Sequence, residues 1–121
     1  MDALKKKRLS DAGIDVDNAL ERFMGNEALL DRFLNKFLAD ESYPQLTQAI
    51  SNHDLAAAIT ASHSLKGVCG NLSMTQLYDL FTRQVAAFRA GDWETAVTLM
   101  DMIIPAFAKV CETIQKGAAD A

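Results

Sequence analysis

Apolar residues recur along this chain at intervals of three and four, and no alternating β-branched run lies between turn residues, so every segment reads as helix and none as strand. The first dozen residues predict a short helix ending near Gly13. Asp15 or Asp17 can cap a second one through Phe23, with Gly25 as its stop. Asn26 can cap a helix from about Glu27 to Ala39, where Leu30, Phe33, Leu34, Phe37 and Leu38 share a face. Asp40-Glu41-Ser42 breaks it, and Pro44 suits the first turn of a short helix to Ser51 that shows Leu46 and Ile50 to the core. Asp54 then caps a helix whose stripe is Leu55, Ala58, Ile59, Leu65 and Cys69, loosened at its end by Gly70 and Asn71. From about Met74 to Ala90, Leu77, Leu80, Phe81 and Phe88 face inward, and Gly91 stops the helix. Asp92 caps a last helix to about Lys116, with Trp93, Val97, Met100, Ile104, Phe107, Cys111 and Ile114 in alternating steps of four and three. Pro105 should kink it, because a proline nitrogen cannot bond the carbonyl of Asp101.

Short connections make successive helices antiparallel neighbours. The expected fold is therefore all-α, an up-down-up-down four-helix bundle with short additional N-terminal helices. It forms one domain over 1–121, with 1–12 as an N-terminal helix or arm and 117–121 as a disordered tail.

Composition narrows the class. A chain of 121 residues, 50% hydrophobic and 23% charged, can bury a core without staples. A net charge of −4 argues against nucleic acid as the main partner, and Lys5-Lys6-Lys7-Arg8 reads as a solvated helix face. Cys69 and Cys111 lack C-x-x-C spacing and read as buried thiols in a reducing compartment. No apolar run reaches the length of a membrane span, and the N-terminus lacks the apolar core of a signal peptide. The expectation is a monomeric cytoplasmic domain.

One stretch carries candidate chemistry. His63 has Lys66 and Gly67 as its i+3 and i+4 neighbours on the same helix face. At roughly 100° per residue His63 lies about 120° from the centre of the apolar stripe, at the edge of solvent. Lys66 falls nearer the stripe, so its stem lies along apolar surface while its ammonium reaches out beside the imidazole. Gly67 costs the helix about 1 kcal/mol relative to alanine. One reason for a glycine there is clearance beside a modified ring. His53, ten residues earlier, is not at metal-ligand spacing from His63, no metal site is expected, and no Gly-rich loop is present to cradle ATP.

His63-Ser64-Leu65-Lys66-Gly67 resembles the H-x-L-K-G signature of histidine-containing phosphotransfer (HPt) domains. Asp54 stands nine residues before the histidine, as in many members. Gly13-Ile14-Asp15 followed by Ala19-Leu20-Glu21-Arg22 is similar to the family's "G-I-D … A-L-x-R" segment, and Arg89-Ala90-Gly91-Asp92 to the turn before its last bundle helix. The resemblance runs from about Gly13 to Ile114 and departs at Ser73, where the family often has glycine. It implies a phosphorelay intermediate. His63 would take a phosphoryl group on Nε2 from the aspartyl phosphate of a response-regulator receiver domain and pass it to another receiver. Lys66 would offset its charge and Gly67 would leave it room. It also implies a polar helper facing the histidine from the next helix, for which Gln84 is the candidate, and a docking face that includes Ser64 and Arg83. No kinase machinery and no bound cofactor are expected. Magnesium would come from the receiver, and a hybrid histidine kinase is a further candidate partner.

Two other classes stay open: the N-terminal phosphorylation domain of a chemotaxis-type kinase, and a helical interaction module without phosphotransfer. A start at Met1 and an end near Ala121 favour the expectation of a free-standing protein.

Overall fold

In the computed structural model, residues 1–119 are described, and eight helices follow one another among them. They are α1 (Ala3–Asp11), α2 (Val16–Arg22), α3 (Glu27–Leu38), α4 (Ser42–Ser51), α5 (Leu55–Asn71), α6 (Thr75–Arg89), α7 (Trp93–Thr98) and α8 (Met100–Ala119). Asp2, Asp15, Asn26, Asp54 and Asp92 begin α1, α2, α3, α5 and α7, and each side chain accepts the backbone N–H three residues on. Such caps satisfy one of the helix's orphan donors and contribute about 1 kcal/mol each.

The ends of α1, α2, α4, α5 and α6 follow a second rule. Gly13, Met24, His53, Ser73 and Gly91 take positive φ of 95°, 56°, 53°, 54° and 75°. The next N–H then reaches back to a carbonyl five residues earlier. Examples are Gly25 to Leu20 at 2.7 Å, Asp54 to Ala49 at 2.8 Å and Met74 to Cys69 at 2.9 Å. This is the Schellman ending. After α2 two successive residues are left-handed, Met24 and then the expected stop, Gly25, at φ 77°.

With such short links, α5 packs between α4 and α6, α6 against α7 and α8, and α3 and α1 against α8. The result is an all-α bundle with additional N-terminal helices. The limbs are α3 with α4, α5, α6, and α7 with α8. Leu30, Leu34, Leu46, Leu65, Leu77, Phe81, Phe88 and Ile103 fill its centre. The basic run near the N-terminus faces acids of this chain: Lys5 Nζ lies 2.9 Å from Asp31 and Lys6 Nζ 3.9 Å from Asp17.

Four expectations are corrected. The last helix is interrupted at Leu99, between α7 and α8, while α8 continues through Pro105. A proline perturbs the turn before it, and the interruption lies on that side, where the Met102 and Ile103 N–H groups both reach the Leu99 carbonyl. The buried stripe is also shifted by one residue at three positions, to Ala96, Ile103 and Val110, while Met100 and Ile114 are buried as expected. Ile104 is 52% exposed. Ile103-Ile104 and Val110-Cys111 are adjacent apolar pairs, so periodicity alone cannot choose between them. Leu55 and Phe33 are exposed at their stripe edges; Phe33 pairs with the Phe23 ring at 5.3 Å. Finally, α8 runs through Gly117 to Ala119, so the expected tail is helical that far. A Cβ at Gly117 would lie 3.5 Å from Lys5 Cε, because α1 packs on this end of the helix. The remainder of the expected tail, 120–121, lies outside the described residues.

The register of α8 gives a direct prediction. Ile103→Ala should cost about 2–5 kcal/mol, because it opens a cavity in a closed core. Ile104→Ala should cost less than about 1 kcal/mol. Urea titration of both variants checks the order, and the reverse order would restore the register expected from spacing.

Candidate functional site

Helix α5 is divided by its neighbours into two faces. Ala58, Ala61, Ser62, Leu65 and Cys69 are buried against α4 and α6, and small residues at 58, 61 and 62 allow both helices to approach. The Ser62 hydroxyl donates to the Ala58 carbonyl at 2.7 Å, so this buried polar group is satisfied within its own helix. His63, Ser64 and Gly67 are exposed, and Lys66 is half-buried. His63 has no hydrogen bond or ion pair among the described residues, and no carboxylate there pairs with Lys66. The imidazole is presented to solvent unengaged, on a helix held on two sides.

His63, Lys66 and Gly67 line a groove of about 420 Å³ that also takes in Arg22, Ser73 and Tyr78. Three structural details shape it. At the turn from α5 to α6, Ser73 holds the left-handed conformation that favours glycine, at φ 54°. Its Oγ donates to Asn18 Oδ1 at 2.7 Å. Around it the Asp15 N–H donates to the Ser73 carbonyl at 2.8 Å and the Thr75 N–H to the Gly13 carbonyl at 3.0 Å. These bonds surround the antiparallel bridge between Ile14 and Met74. Second, Asn18 Oδ1 also accepts from Arg22 Nε at 3.0 Å, which fixes an arginine of α2 at the groove. Third, the Tyr78 ring lies over Gly70, where a Cβ would stand 3.1 Å from Cδ2 and Cε2. Gly70 therefore seats a ring, and the helix ends one residue later at Asn71, where its end was expected.

The two glycines of α5 differ in this respect. A Cβ at Gly67 would meet nothing within 4 Å. Packing within the chain accounts for Gly70 and leaves Gly67 without a structural reason.

Cys69 lies beneath the groove, fully buried. Burial, then Asp40 and Cys111, push its thiol up to about 12, so it is a neutral core residue and no competing nucleophile. Among the described residues no cluster of His, Cys, Asp and Glu is arranged to hold a metal ion, and no helix is long and apolar enough to cross a membrane.

Gln84 is corrected. It is fully buried on α6, where its amide donates to the Ala96 carbonyl at 3.0 Å and Met100 Sδ at 3.1 Å. It ties α6 to α7 and α8. The cause is the turn of α6: position 84 shares the face of Leu77, Phe81 and Phe88, which is directed into the bundle. Arg83 lies outside the groove, exposed, with Nη1 3.7 Å from Asp79 one turn away. His53 stacks on the Trp93 indole at 3.9 Å and caps the end of α4. Asn18, Arg22 and Tyr78 were not singled out from the sequence as site residues. The i, i+4 spacing of Asn18 and Arg22 marks a side-chain pair on one helix face. Nothing local marks Tyr78, since its place depends on how α5 and α6 cross.

With that geometry in view, the model of the Hpt domain family matches residues 28–117, most of the chain and all of the His63–Gly67 stretch. The chain belongs to the Hpt domain family. Hpt domains are phosphocarrier modules of two-component phosphorelays, without kinase machinery, that work with response-regulator receiver domains and histidine kinases. No curated protein and no solved structure matches the chain. Helices α1 and α2, with Asn18 and Arg22, lie outside the matched residues.

The contrast between the glycines is measurable. Gly67→Ala should raise stability by about 1 kcal/mol, the helix-propensity difference, because its methyl group meets open space. Gly70→Ala should gain less or lose, because the Tyr78 ring must move. Thermal melts of the two variants test this; equal gains would show that Gly70 seats nothing.

Proposed function

We propose that this chain relays a phosphoryl group from the aspartyl phosphate of one receiver domain to the aspartate of another, carried on His63. A neutral imidazole has one unprotonated ring nitrogen, which is the nucleophile. Attack of Nε2 on phosphorus forms the N–P bond as the P–O bond to the receiver aspartate breaks, and the carboxylate leaves with the electron pair. The added positive charge on the ring is relieved by loss of the Nδ1 proton to solvent. Transfer to the second receiver reverses these steps. Such reactions depend on positioning and on neutralising oxygen charge, with magnesium supplied by the receiver's acidic pocket.

One observation carries the reading: an exposed, unengaged His63 stands beside a glycine that no packing within the chain explains. An approaching receiver and the phosphoryl group itself both need that clearance. Lys66, half-buried and one turn along the same helix, supplies the counter-charge. Ser64 is exposed on the same helix and belongs to the docking face; Arg83 on α6 is a more distant candidate.

Radiolabel transfer from a phosphorylated receiver tests the proposal. The wild type should acquire acid-labile phosphate, and His63→Gln should acquire none while keeping its helical spectrum. Labelling that persists in His63→Gln, or that occurs only with a kinase core and ATP, would contradict it. Lys66→Met keeps most of the stem and loses the charge. It should shift the transfer equilibrium away from His63 by about two- to fivefold, the range of an exposed ion pair. Its thermal midpoint should move by no more than about 2–3 °C. An unchanged equilibrium would remove Lys66 from the mechanism.

A further inference from the structure

Arg22 is a cation at the His63 groove that no acid among the described residues occupies. Lys5 and Lys6 face Asp31 and Asp17, and Arg83 faces Asp79. Arg22 has no such partner among the described residues. Its one hydrogen bond among the described residues runs from Nε to Asn18 Oδ1 at 3.0 Å. A guanidinium carries five N–H donors in a planar fork. With Nε engaged, the four on Nη1 and Nη2 remain, and the plane of the fork is fixed from its stem side.

The acceptor is itself fixed. Asn18 Oδ1 takes a second hydrogen bond from Ser73 Oγ at 2.7 Å, and the Asn18 N–H is held by the Asp15 cap at 3.1 Å. Ser73 is 5% exposed and locked in a left-handed turn by its backbone bonds. A chain of contacts therefore runs from the turn that ends the His63 helix, through Asn18, to Arg22. It brings an arginine of the N-terminal segment to the groove shared by His63 and Lys66.

A phosphoryl group adds about −1.5 to −2 charge at neutral pH. A single ammonium leaves part of that uncompensated, on a chain whose net charge is already −4. Resting on the relay reading above, we propose that Arg22 is the second cation for the phosphoryl group on His63, with Asn18 and Ser73 as its positioning residues. The fork suits two phosphoryl oxygens at once, which a lysine does not match.

The test uses the full chain phosphorylated by phosphoramidate, so that no receiver contact enters. The P–N bond of the donor breaks, ammonia leaves, and the N–P bond to His63 forms. The phosphorus NMR signal is then titrated through the second ionisation of the phosphoryl group, near pH ~6. A nearby cation favours the dianion and lowers that midpoint. Arg22→Met should raise it by about 0.3–0.7 pH units, equivalent to a two- to fivefold change, the range of an exposed ion pair. Arg22→Lys should recover part of the shift, and Asn18→Ala should fall between wild type and Arg22→Met, because the charge remains and its placement is lost. A helix-surface pair with only a structural role would leave the midpoint unmoved in all three. An unchanged midpoint in Arg22→Met, with wild type labelled, overturns this assignment alone. Failure of the wild type to take phosphate from either phosphoramidate or a receiver overturns the relay reading and this assignment with it.

Discussion

The turn at Ser73 is the constraint on which the site depends. A non-glycine residue held at φ of 54° is strained by about 1–2 kcal/mol. It persists because the Schellman bonds of α5, the Asn18 contact and the paired backbone of Gly13–Asp15 all converge on it. This one junction sets where α6 leaves α5, and so where Tyr78 lies over Gly70. It also anchors the N-terminal segment across the end of the bundle, which brings α2 to the groove. Release of the Ser73 turn would loosen α6 and α2 at once.

The same economy of linkage is repeated along the chain. The links after α1, α2, α4 and α6 each run from a left-handed residue to an Asp or Asn cap within two residues, so those limbs have little freedom except to fold back on one another. A bundle built this way holds α5 between two neighbours and leaves its third side open. On the proposed reading, His63 needs that openness. A relay residue must be rigid enough to be met in line by a partner, yet free of hydrogen bonds that would occupy its lone pair. A buried histidine would satisfy only the first requirement, and one on a frayed loop only the second.

The sequence disclosed most of the helices, the caps at Asn26, Asp54 and Asp92 and the His63–Lys66–Gly67 face, because those depend on residues a few positions apart. It was less informative wherever two helices meet. Ile103 and Ile104 are equally apolar, and only the packing of α8 chooses between them. Gln84 was assigned to the wrong partner because a glutamine in an apolar stripe announces a buried hydrogen bond without saying to which helix. Met24 and Ser73 were not recognised as left-handed ends, since the glycine signal for that conformation is missing at both. Arg22 lies far from His63 in sequence, and its place at the groove follows from two hydrogen bonds to one asparagine oxygen.

The most direct measurement of the central claim is long-range nitrogen–proton NMR of the uniformly labelled chain after phosphorylation by a receiver. The account predicts one modified imidazole, that of His63, with phosphorus bonded to Nε2 and the His53 ring unaltered on Trp93. Phosphorus on His53, or a phosphorylated chain with both imidazoles unmodified, would contradict it.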